Sequence, residues 1–520
     1  MNAIETSRAV TPAQDAAGQL PSTGQLLVQG GDARIALNPA TGANKYGCRP
    51  QPDANIAAFG SATSTSISEA AFFAANQLRN RVAQQFAAPE QACSPLSNRD
   101  AAGVYADEMH RIRHELIELC GLDNVHGPDI VFAASGTDSH LIAAQLAACA
   151  AESPPRMLIV DPAETGSGVP AALSGRHFSS RTALGDAVTQ GAMIEKSAHA
   201  EVVAIPIRLA DGTPRNGADI DADFERQAVA AAAAGQRVLL TMADVSKTGI
   251  IAPSVACAVA LHQRFPDTLD VLVDACQFRI APATLQAYLA QGFMVGVTGS
   301  KFITGPSFSG ALFIPAPLSK KLRRISVAER LQVYSTRADW PLGWETAGHL
   351  EDVPNFGLLL RWEAALKELR AFRSVSNAVT THFLHTFAAA IKQRLEHDPL
   401  FEALPVPELQ RHPFADTPNW DNIQTVFPFL LLHPLSGRPV DSAQTAHIYR
   451  ALQEDGDERV QLAQPVACGT RDGIAVSALR ICASSRLVVE AMRRNGSNEQ
   501  AVLARARHAL DQVARLVRAL

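Results

Sequence analysis

One stretch, residues 269–315, constrains the fold of this chain more than any other. It begins with a run of aliphatic residues at 271–273, which predicts a strand buried on both faces, and Asp274 follows directly. A second apolar run at 293–297 leads into a glycine-edged loop that carries Lys301. A carboxylate at the end of a buried strand faces a crevice instead of a core. We therefore expect a ligand site at the carboxyl ends of these strands.

The acid and the lysine suit the chemistry of pyridoxal 5′-phosphate (PLP). A carboxylate can hold a ring nitrogen protonated, and a lysine can form a Schiff base with an aldehyde. With Gln277 three residues after Asp274, the pattern resembles V-D-x-x-Q followed by K-x-x-x-G-P-x-x-x-G-x-L. That pattern is typical of the cysteine desulfurase, selenocysteine lyase and kynureninase branch of fold-type I PLP enzymes, the class V aminotransferase superfamily. The resemblance implies that Lys301 and Asp274 are catalytic, that Gln277 binds the cofactor's phenolic oxygen, and that Ser300 helps to hold phosphate.

A turn between a strand and a helix predicts a phosphate site. The apolar run at 130–134 is followed by Ser135-Gly136-Thr137 and then by a helical pattern. Several backbone N–H groups and the positive end of the helix dipole would converge there, which favours a phosphate dianion. Most isolated matches to such a turn are only a helix cap. The resemblance implies that the phosphate of PLP binds at this point of the chain.

The alternation of strands and helices predicts the fold class. Apolar runs that predict strands occur at residues 130–134, 157–161, 202–207 and 238–243. Strands that alternate with helical patterns are typical of a doubly wound, mostly parallel α/β sheet. The resemblance implies the large domain of the PLP-dependent transferase fold type I. Strand-like and helical runs after residue 400 predict a smaller α+β C-terminal domain.

We predict four segments along the chain. A mobile N-terminal arm covers residues 1–24, and an N-terminal segment that closes over the active site covers residues 25–99. The large PLP-binding domain covers residues 100–345. Two linking helices and the small C-terminal domain cover residues 346–520.

The residue that would stack on the pyridine ring is not fixed by the pattern. The related enzymes carry a histidine or an aromatic residue after the third strand, within an E-H-H or E-x-x-S-N motif that this sequence lacks. His177 and Phe178 are candidates, and the loop composition is equally compatible with Thr165 beside the ring.

Lys247 is a second candidate for the Schiff base. It stands where the related enzymes carry an asparagine, in a segment that resembles S-N-x-T-G-x-x-x-P. No buried strand ending in an acid precedes Lys247 by one βα unit, whereas Asp274 precedes Lys301. We therefore favour Lys301 and interpret Lys247 as a nearby cation or a substrate contact.

Two features of the C-terminal part bear on the substrate. Arg480 lies in a Leu-Arg-Ile strand that resembles the strand whose arginine binds the substrate α-carboxylate, although an edge-strand arginine at the surface is an equally common reading. The segment before it resembles a C-A-Q-P motif of some desulfurases. Leu462 occupies the position of the sulfur-accepting thiol, and Cys468 lies nearby in another register.

Composition excludes several classes of function. The net charge is −5 and no long Lys/Arg run is present, so we expect no nucleic-acid partner. Eight cysteines without C-x-x-C spacing or a secretory leader favour a reducing, cytoplasmic location. No long uninterrupted apolar run predicts a membrane span. His110 and His114 have metal-ligand spacing, but we interpret them as surface histidines and expect no metal.

The combined prediction is a PLP-dependent enzyme that acts on an α-amino acid or related amine through a Schiff base, of lyase or aminotransferase type. One alternative is a cysteine desulfurase or selenocysteine lyase that uses Cys468. Another is a PLP-fold protein that binds without turnover. Two subunits usually share the active sites in enzymes of this fold type, so the resemblance also implies a homodimer.

Overall fold

The computed structural model describes residues 20–86, 100–123, 127–149, 153–196, 199–414, 419–454, 459–493 and 498–520. The strands are β1 Ile56–Ala58, β2 Asp129–Ala133, β3 Arg156–Val160, β4 Glu201–Ile205, β5 Val238–Ala243, β6 Leu269–Ala275, β7 Met294–Thr298, β8 Gly310–Ile314, β9 Phe401–Ala403, β10 Val426–Leu431, β11 Arg459–Gln461, β12 Ala463–Arg471 and β13 Ile474–Cys482. The helices are α1 Thr23–Leu27, α2 Glu69–Phe86, α3 Ala101–Leu119, α4 Gly136–Cys149, α5 Val169–Leu173, α6 Gly217–Ala233, α7 Val255–Arg264, α8 Pro282–Ala290, α9 Ala316–Leu322, α10 Ala328–Leu331, α11 Glu345–His349, α12 Phe356–Arg373, α13 Asn377–His397, α14 Ser442–Glu454, α15 Ser485–Ala491 and α16 Glu499–Arg518.

Seven strands form the central sheet in the order β2-β8-β7-β6-β5-β3-β4. Neighbouring strands are parallel except that β8 runs antiparallel to both β2 and β7. Strands with long helical crossovers pair in parallel, whereas the short connection from β7 to β8 permits an antiparallel return. The predicted strands are present within one or two residues, and the predicted doubly wound, mostly parallel sheet is confirmed.

Both faces of the central sheet are buried. In β5, Val238, Leu240 and Met242 pack into one apolar cluster, and Leu239 packs into another on the opposite face. Successive strand residues point to opposite faces, so continuous apolar strands require helices on both sides. This burial explains why the strands read as apolar runs instead of alternating patterns.

A second sheet occupies the C-terminal part. It has four antiparallel strands in the order β12-β13-β10-β9. Helices α13, α14 and α16 pack together with its apolar residues, and α16 buries one face of eight residues from Val502 to Val517. The predicted α+β architecture is confirmed, although the short strands β9 and β11 and the strand β12 have no clear sequence pattern.

The N-terminal segment is joined to the C-terminal part. Strand β1 pairs in parallel with β11, which lies about 400 positions further along the chain. Helix α1 begins at Thr23, whose side chain is buried. The boundary of the arm near residue 24 stays a prediction. Residues 1–19 and 87–99 lie outside the described residues. Within the described residues, no helix combines the length and the apolar character that crossing a membrane requires.

Candidate active site

A cavity opens at the carboxyl ends of the central strands. It encloses about 980 Å³ of empty space, part of which is open to solvent. Most of the predicted site residues line it: Ser135, Gly136, Thr137, Lys247, Asp274, Ser300, Lys301 and Arg480. The N-terminal segment contributes Arg34, Lys45, Tyr46, Ala62 and Thr63 to the wall. Since parallel strands deliver their following loops to one edge, residues far apart in sequence meet there.

Asp274 lies near the end of β6 and keeps its negative charge in a buried setting. Its Oδ1 accepts a hydrogen bond from the Cys276 backbone N–H at 3.1 Å, and its Oδ2 lies 3.4 Å from Nε2 of His140. Burial alone would raise the pKa of Asp274, but His140 and Lys301 lower it well below the usual range. A carboxylate that stays ionised at the cavity floor can stabilise a cation placed against it.

His140 is a site residue that sequence reasoning missed. It lies one turn into α4, where its Nδ1 is 2.7 Å from the Gly136 carbonyl oxygen. Burial would lower the pKa of His140, but the charge of Asp274 raises it. With its Nδ1–H donated to that carbonyl, the ring directs Nε2 towards Asp274. The available signal was the spacing of His140 from Ser135-Gly136-Thr137, which places it on the first turn of the helix after the predicted phosphate turn.

Lys301 lies in the loop between β7 and β8. The loop packs closely on α12: a Cβ at Gly299 or Gly305 would lie 2.5 Å or 2.7 Å from the Cβ of Ala365. Only glycine permits this approach. The amino group of Lys301 has no hydrogen-bond acceptor and no carboxylate within ion-pair distance among the described residues, although it faces the same cavity as Asp274. It is therefore available to a ligand in the cavity.

An arginine from the N-terminal segment contacts the predicted phosphate turn. Nη2 of Arg34 lies 3.2 Å from Oγ of Ser135 and 3.4 Å from Oγ1 of Thr137, and it forms an ion pair of 2.5 Å with Asp32. Burial and the nearby Asp32 raise the pKa of Asp138 to about 7, so that its negative charge beside the turn is reduced. Hydroxyl groups, a guanidinium and the N-terminus of a 14-residue helix together form a site for an anion.

Lys247 also lines the cavity, on a loop held by a buried glutamate. Its Nζ donates to the Ala163 carbonyl oxygen at 3.1 Å. Glu164 forms an ion pair of 2.7 Å with Arg208 and accepts hydrogen bonds from the hydroxyls of Ser246 and Thr248, which flank Lys247. Burial, with the nearby cations Arg480 and Lys301, lowers the pKa of Lys247 to about 8. These hydrogen bonds hold the loop in place, and the amino group of Lys247 carries a positive charge near neutral pH.

Arg480 lies on β13 with its side chain almost fully buried. It donates to the carbonyl oxygens of Lys247, at 2.9 Å, and of Gln464, and to the hydroxyl of Thr63 at 3.1 Å. Its Nε has no partner, and none of the described carboxylates lies within ion-pair distance. A buried guanidinium without a counter-charge at a cavity wall favours an anionic ligand.

Two predicted cofactor contacts do not line the cavity. Gln277 is buried, donates to the Ala62 carbonyl oxygen at 3.0 Å and accepts from Arg279, so both of its polar atoms are used. His177 stacks on Tyr334 and its Nδ1 lies 2.6 Å from that hydroxyl. Both side chains are engaged in contacts outside the cavity lining, and their assignment as cofactor contacts stays a prediction.

The remaining stacking candidates also miss the cavity wall. Phe178 packs against Tyr334 in an apolar cluster, and Thr165 is buried with its hydroxyl unpartnered. The adjacent Gly166 and Ser167 line the wall instead. The aromatic side chains that do reach it are Tyr46 and Phe308.

The thiols are arranged differently from the desulfurase-like expectation. Cys468 is buried in an apolar cluster of the C-terminal sheet and does not line the cavity. Cys276 lines it, and burial raises the pKa of that thiol well above its usual value. The ligand atoms of His140, Asp274 and Cys276 lie within 4.8 Å of one another, a spacing compatible with a metal ion. The expected absence of a metal stays a prediction.

Comparison with known proteins finds similarity in structure only. No protein-family model and no curated protein sequence matches the chain. The cysteine desulfurase CsdA from Escherichia coli superposes with a TM-score of 0.51 at 16% identity, covering 88% of this chain and 94% of its own. A C-DES variant with glycine covalently linked to its PLP cofactor gives 0.52 at 14% identity, covering 88% and 99%. The cystine C-S lyase C-DES with its product cysteine persulfide gives 0.51 at 15% identity, covering 87% and 98%.

The chain has the PLP fold type I. The similarity extends over most of the chain, beyond the motifs at residues 130–137 and 269–315. At about 15% identity, similarity of fold does not establish similarity of chemistry, so the chemistry of this cavity follows from its own residues.

Proposed function

We propose that this protein is a PLP-dependent enzyme that acts on an α-amino acid, of lyase or aminotransferase type. One observation carries the proposal: Lys301 faces the cavity without a hydrogen bond or an ion pair to any described residue, in the same cavity as the buried Asp274–His140 pair. A lysine without a protein partner and a carboxylate whose pKa is lowered, in one cavity, are the combination that binding of an aldehyde cofactor with a basic ring nitrogen requires.

The residues present fit PLP at three points. Lys301 would hold the aldehyde end covalently, Asp274 would pair with the protonated ring nitrogen, and Ser135, Thr137 and Arg34 would hold the phosphate. The phosphate end carries hydroxyl and guanidinium donors together with a helix N-terminus. Each of these groups suits the charge of the part of PLP that it would face.

PLP supplies an electron sink that stabilises negative charge on the substrate's α-carbon. The residues of this chain then decide where protons and charges lie. The imidazolium of His140 keeps Asp274 ionised, and Asp274 keeps a proton on the nitrogen placed against it. Lys301, which lines the same cavity, would remove or return the proton at the α-carbon of a bound amino acid.

Gln277 takes a positioning role in this proposal. It holds the Ala62 carbonyl, and Ala62 belongs to the cavity wall contributed by the N-terminal segment. Substitution of Gln277 would therefore move the cavity wall at Ala62, and would not remove a direct contact to the cofactor. Ser300 lines the cavity beside Lys301 and remains a candidate phosphate ligand.

Arg480 is the candidate for the substrate's α-carboxylate. Its neighbours on the protein are neutral carbonyl and hydroxyl groups, which fix its orientation without neutralising its charge. A carboxylate would supply the missing counter-charge, so an amino acid is favoured over a simple amine. The homodimer and the cytoplasmic location implied by the resemblance stay predictions.

The decisive experiment is reductive labelling. The protein is incubated with PLP, reduced with borohydride and mapped by peptide mass spectrometry, for the wild type, Lys301→Ala and Lys247→Ala. We expect a visible absorbance band and a pyridoxyl adduct on Lys301 in the wild type and in Lys247→Ala, and no adduct in Lys301→Ala. An adduct on Lys247, or no binding of PLP, would overturn the proposal.

The same preparation separates the two alternative functions. Amino acids that shift the absorbance band and yield a product identify a catalyst, whereas a band that no amino acid shifts identifies a passive binder. Sulfur transfer through Cys468 has no support from the cavity geometry, because that thiol is buried outside the wall. Unchanged sulfide release in Cys468→Ala would exclude sulfur transfer through Cys468, and loss of sulfide release would support it.

A further inference from the structure

The cavity wall is rich in positively charged side chains. Among the described wall residues, Asp274 is the only carboxylate, and the cationic side chains besides His140, which pairs with Asp274, are Arg34, Lys45, Lys247, Lys301 and Arg480. Arg34 is neutralised by its ion pair with Asp32. No described carboxylate lies within ion-pair distance of the other four cations.

Three of these four cations differ in what they can offer a ligand. Lys301 is assigned to the cofactor, and Lys45 is exposed at the mouth of the cavity, where its backbone carbonyl accepts from Gln464. Lys247 lies deeper and is half-buried. Its Nζ contacts only the neutral carbonyl of Ala163, so its charge is unmatched within the wall.

Lys247 and Arg480 are fixed next to each other. Arg480 Nη1 donates to the backbone carbonyl oxygen of Lys247 at 2.9 Å, which ties the two residues' segments together. The Lys247 loop is also held by its backbone N–H, which donates to the Glu164 carbonyl oxygen at 2.9 Å. Two cations held side by side at one wall repel each other. A ligand that brings a negative group to each of them would offset this repulsion.

A substrate with only an α-carboxylate leaves one of these charges unpaired. If Arg480 takes the α-carboxylate and the Ser135-Thr137 turn takes the phosphate, Lys247 still lacks a counter-charge in a partly desolvated position. The charges of Glu164 and Asp161 act on Lys247 from beyond ion-pair distance, and Glu164 is already engaged by Arg208 and two hydroxyl groups. The unmatched cation therefore has to be satisfied by the ligand or by water.

We propose that the substrate is an amino acid whose side chain carries a second carboxylate, and that Lys247 binds this group. The proposal rests on the proposed function, since it needs a PLP-bound amino acid with its α-carboxylate on Arg480. Lys247 thereby determines specificity, and the asparagine expected at its position in the related enzymes would lack the charge to do so.

The test compares amino acids that differ only in side-chain charge. Aspartate is paired with asparagine and glutamate with glutamine, and dissociation constants are obtained from the absorbance shift of the PLP-loaded protein. The proteins are wild type, Lys247→Gln, Lys247→Arg and, as a matched control, Lys392→Gln at an exposed position of α13. We expect the wild type and the control to prefer the acidic member by about 10-fold or more, the factor of one charge-assisted hydrogen bond.

In Lys247→Gln we expect the preference for the acidic member to fall to about 3-fold or less, through weaker binding of the acidic member. In Lys247→Arg we expect part of the preference to remain, because arginine keeps the positive charge. Equal affinity for acid and amide in the wild type overturns the inference and leaves the proposed function standing. A preference that persists in Lys247→Gln also overturns it, since the discriminating charge would then lie elsewhere in the cavity. A protein that binds no PLP, or whose band no amino acid shifts, fails the proposed function and this inference together.

Discussion

At the scale of single residues, the cavity depends on how one buried charge is balanced by another. Asp274 would be protonated more readily in an apolar strand end, but His140 lies 3.4 Å away and keeps it ionised. The two side chains form a pair whose charges are sustained mutually. Removing the histidine should therefore change both the stability of the fold and the charge offered to a ligand.

We predict that His140→Gln changes the pH dependence of stability. The pKa of His140 is raised in the folded protein above its unfolded value of about 6.5, so its contribution is fully present below pH of about 6.5 and is lost as the pH rises through the folded pKa. The difference in the free energy of unfolding between wild type and His140→Gln should thus shrink from pH 6 to pH 9. Denaturant unfolding without added PLP measures it.

His114→Gln is the control for that titration. His114 lies on the exposed face of α3, so the substitution leaves the Asp274 charge untouched. We expect its free energy of unfolding to follow the wild-type pH dependence. A wild-type minus His140→Gln difference that stays constant across this range would contradict the ion pair.

At the scale of elements, the start of α4 is pressed against the loop after β6. A Cβ at Gly136 would lie 2.6 Å from Sγ of Cys276 and 3.2 Å from Cγ2 of Thr298. The glycine therefore allows the helix N-terminus to approach the cavity floor. This contact joins the predicted phosphate turn to the segment that carries Asp274.

We predict that Gly136→Ala destabilises the protein by about 1–3 kcal/mol, the usual cost of overpacking. It should also weaken PLP binding, because the helix N-terminus must move away from the floor. Gly136→Ala combined with Cys276→Ala should recover much of this loss, since the side chain left at position 276 would be 3.4 Å from the new Cβ. Denaturant unfolding and PLP titration of the two single variants and the double variant measure the coupling.

If the losses of unfolding free energy in the two single variants add up to the loss in the double variant, the clash at position 136 is relieved by atoms other than the Cys276 side chain. Cys276→Ala alone tests whether the thiol itself matters for binding. We expect its PLP affinity to remain close to that of the wild type, because the thiol has no assigned role other than packing.

At the scale of the whole molecule, a buried ion pair ties the C-terminal part to the central sheet. Arg411 donates to both carboxylate oxygens of Asp244, at 2.6 Å and 2.8 Å, and also to the Asp421 carbonyl oxygen. Tyr288 donates to the same carboxylate at 2.6 Å. Asp244 directly follows β5, so the pair lies at the carboxyl edge of the sheet that also bears the cavity.

We predict that Arg411→Met costs about 3–5 kcal/mol of unfolding free energy, because it leaves the buried carboxylate of Asp244 without a counter-charge. Asp244→Asn combined with Arg411→Met should cost less than Arg411→Met alone, since the unpaired charge is removed as well. Guanidinium unfolding curves measure both.

The control is Arg264→Met, which breaks an exposed pair with Glu225 of 2.9 Å. It should cost no more than about 1 kcal/mol, as expected for a surface ion pair. Equal losses for Arg411→Met and Arg264→Met would mean that the buried pair does not tie the two parts together.

The sequence alone determined the order of the strands and helices of the central sheet, the turn at residues 135–137 and the pair Asp274 and Lys301. These features are encoded locally: a fully buried strand is a continuous apolar run, and a loop that must pass close to a helix is edged by glycines. The resemblance could be recognised because it consists of such local features.

Tertiary structure alone decided the rest of the site. Arg34 meets Ser135 across 101 positions of the chain, His140 turns towards Asp274, and Gln277 turns away from the cavity. Local patterns give an element's type but not the direction of each side chain, which depends on contacts that the packing of distant segments creates. For the same reason, Cys468 stands near the expected position in sequence and lies outside the cavity in space.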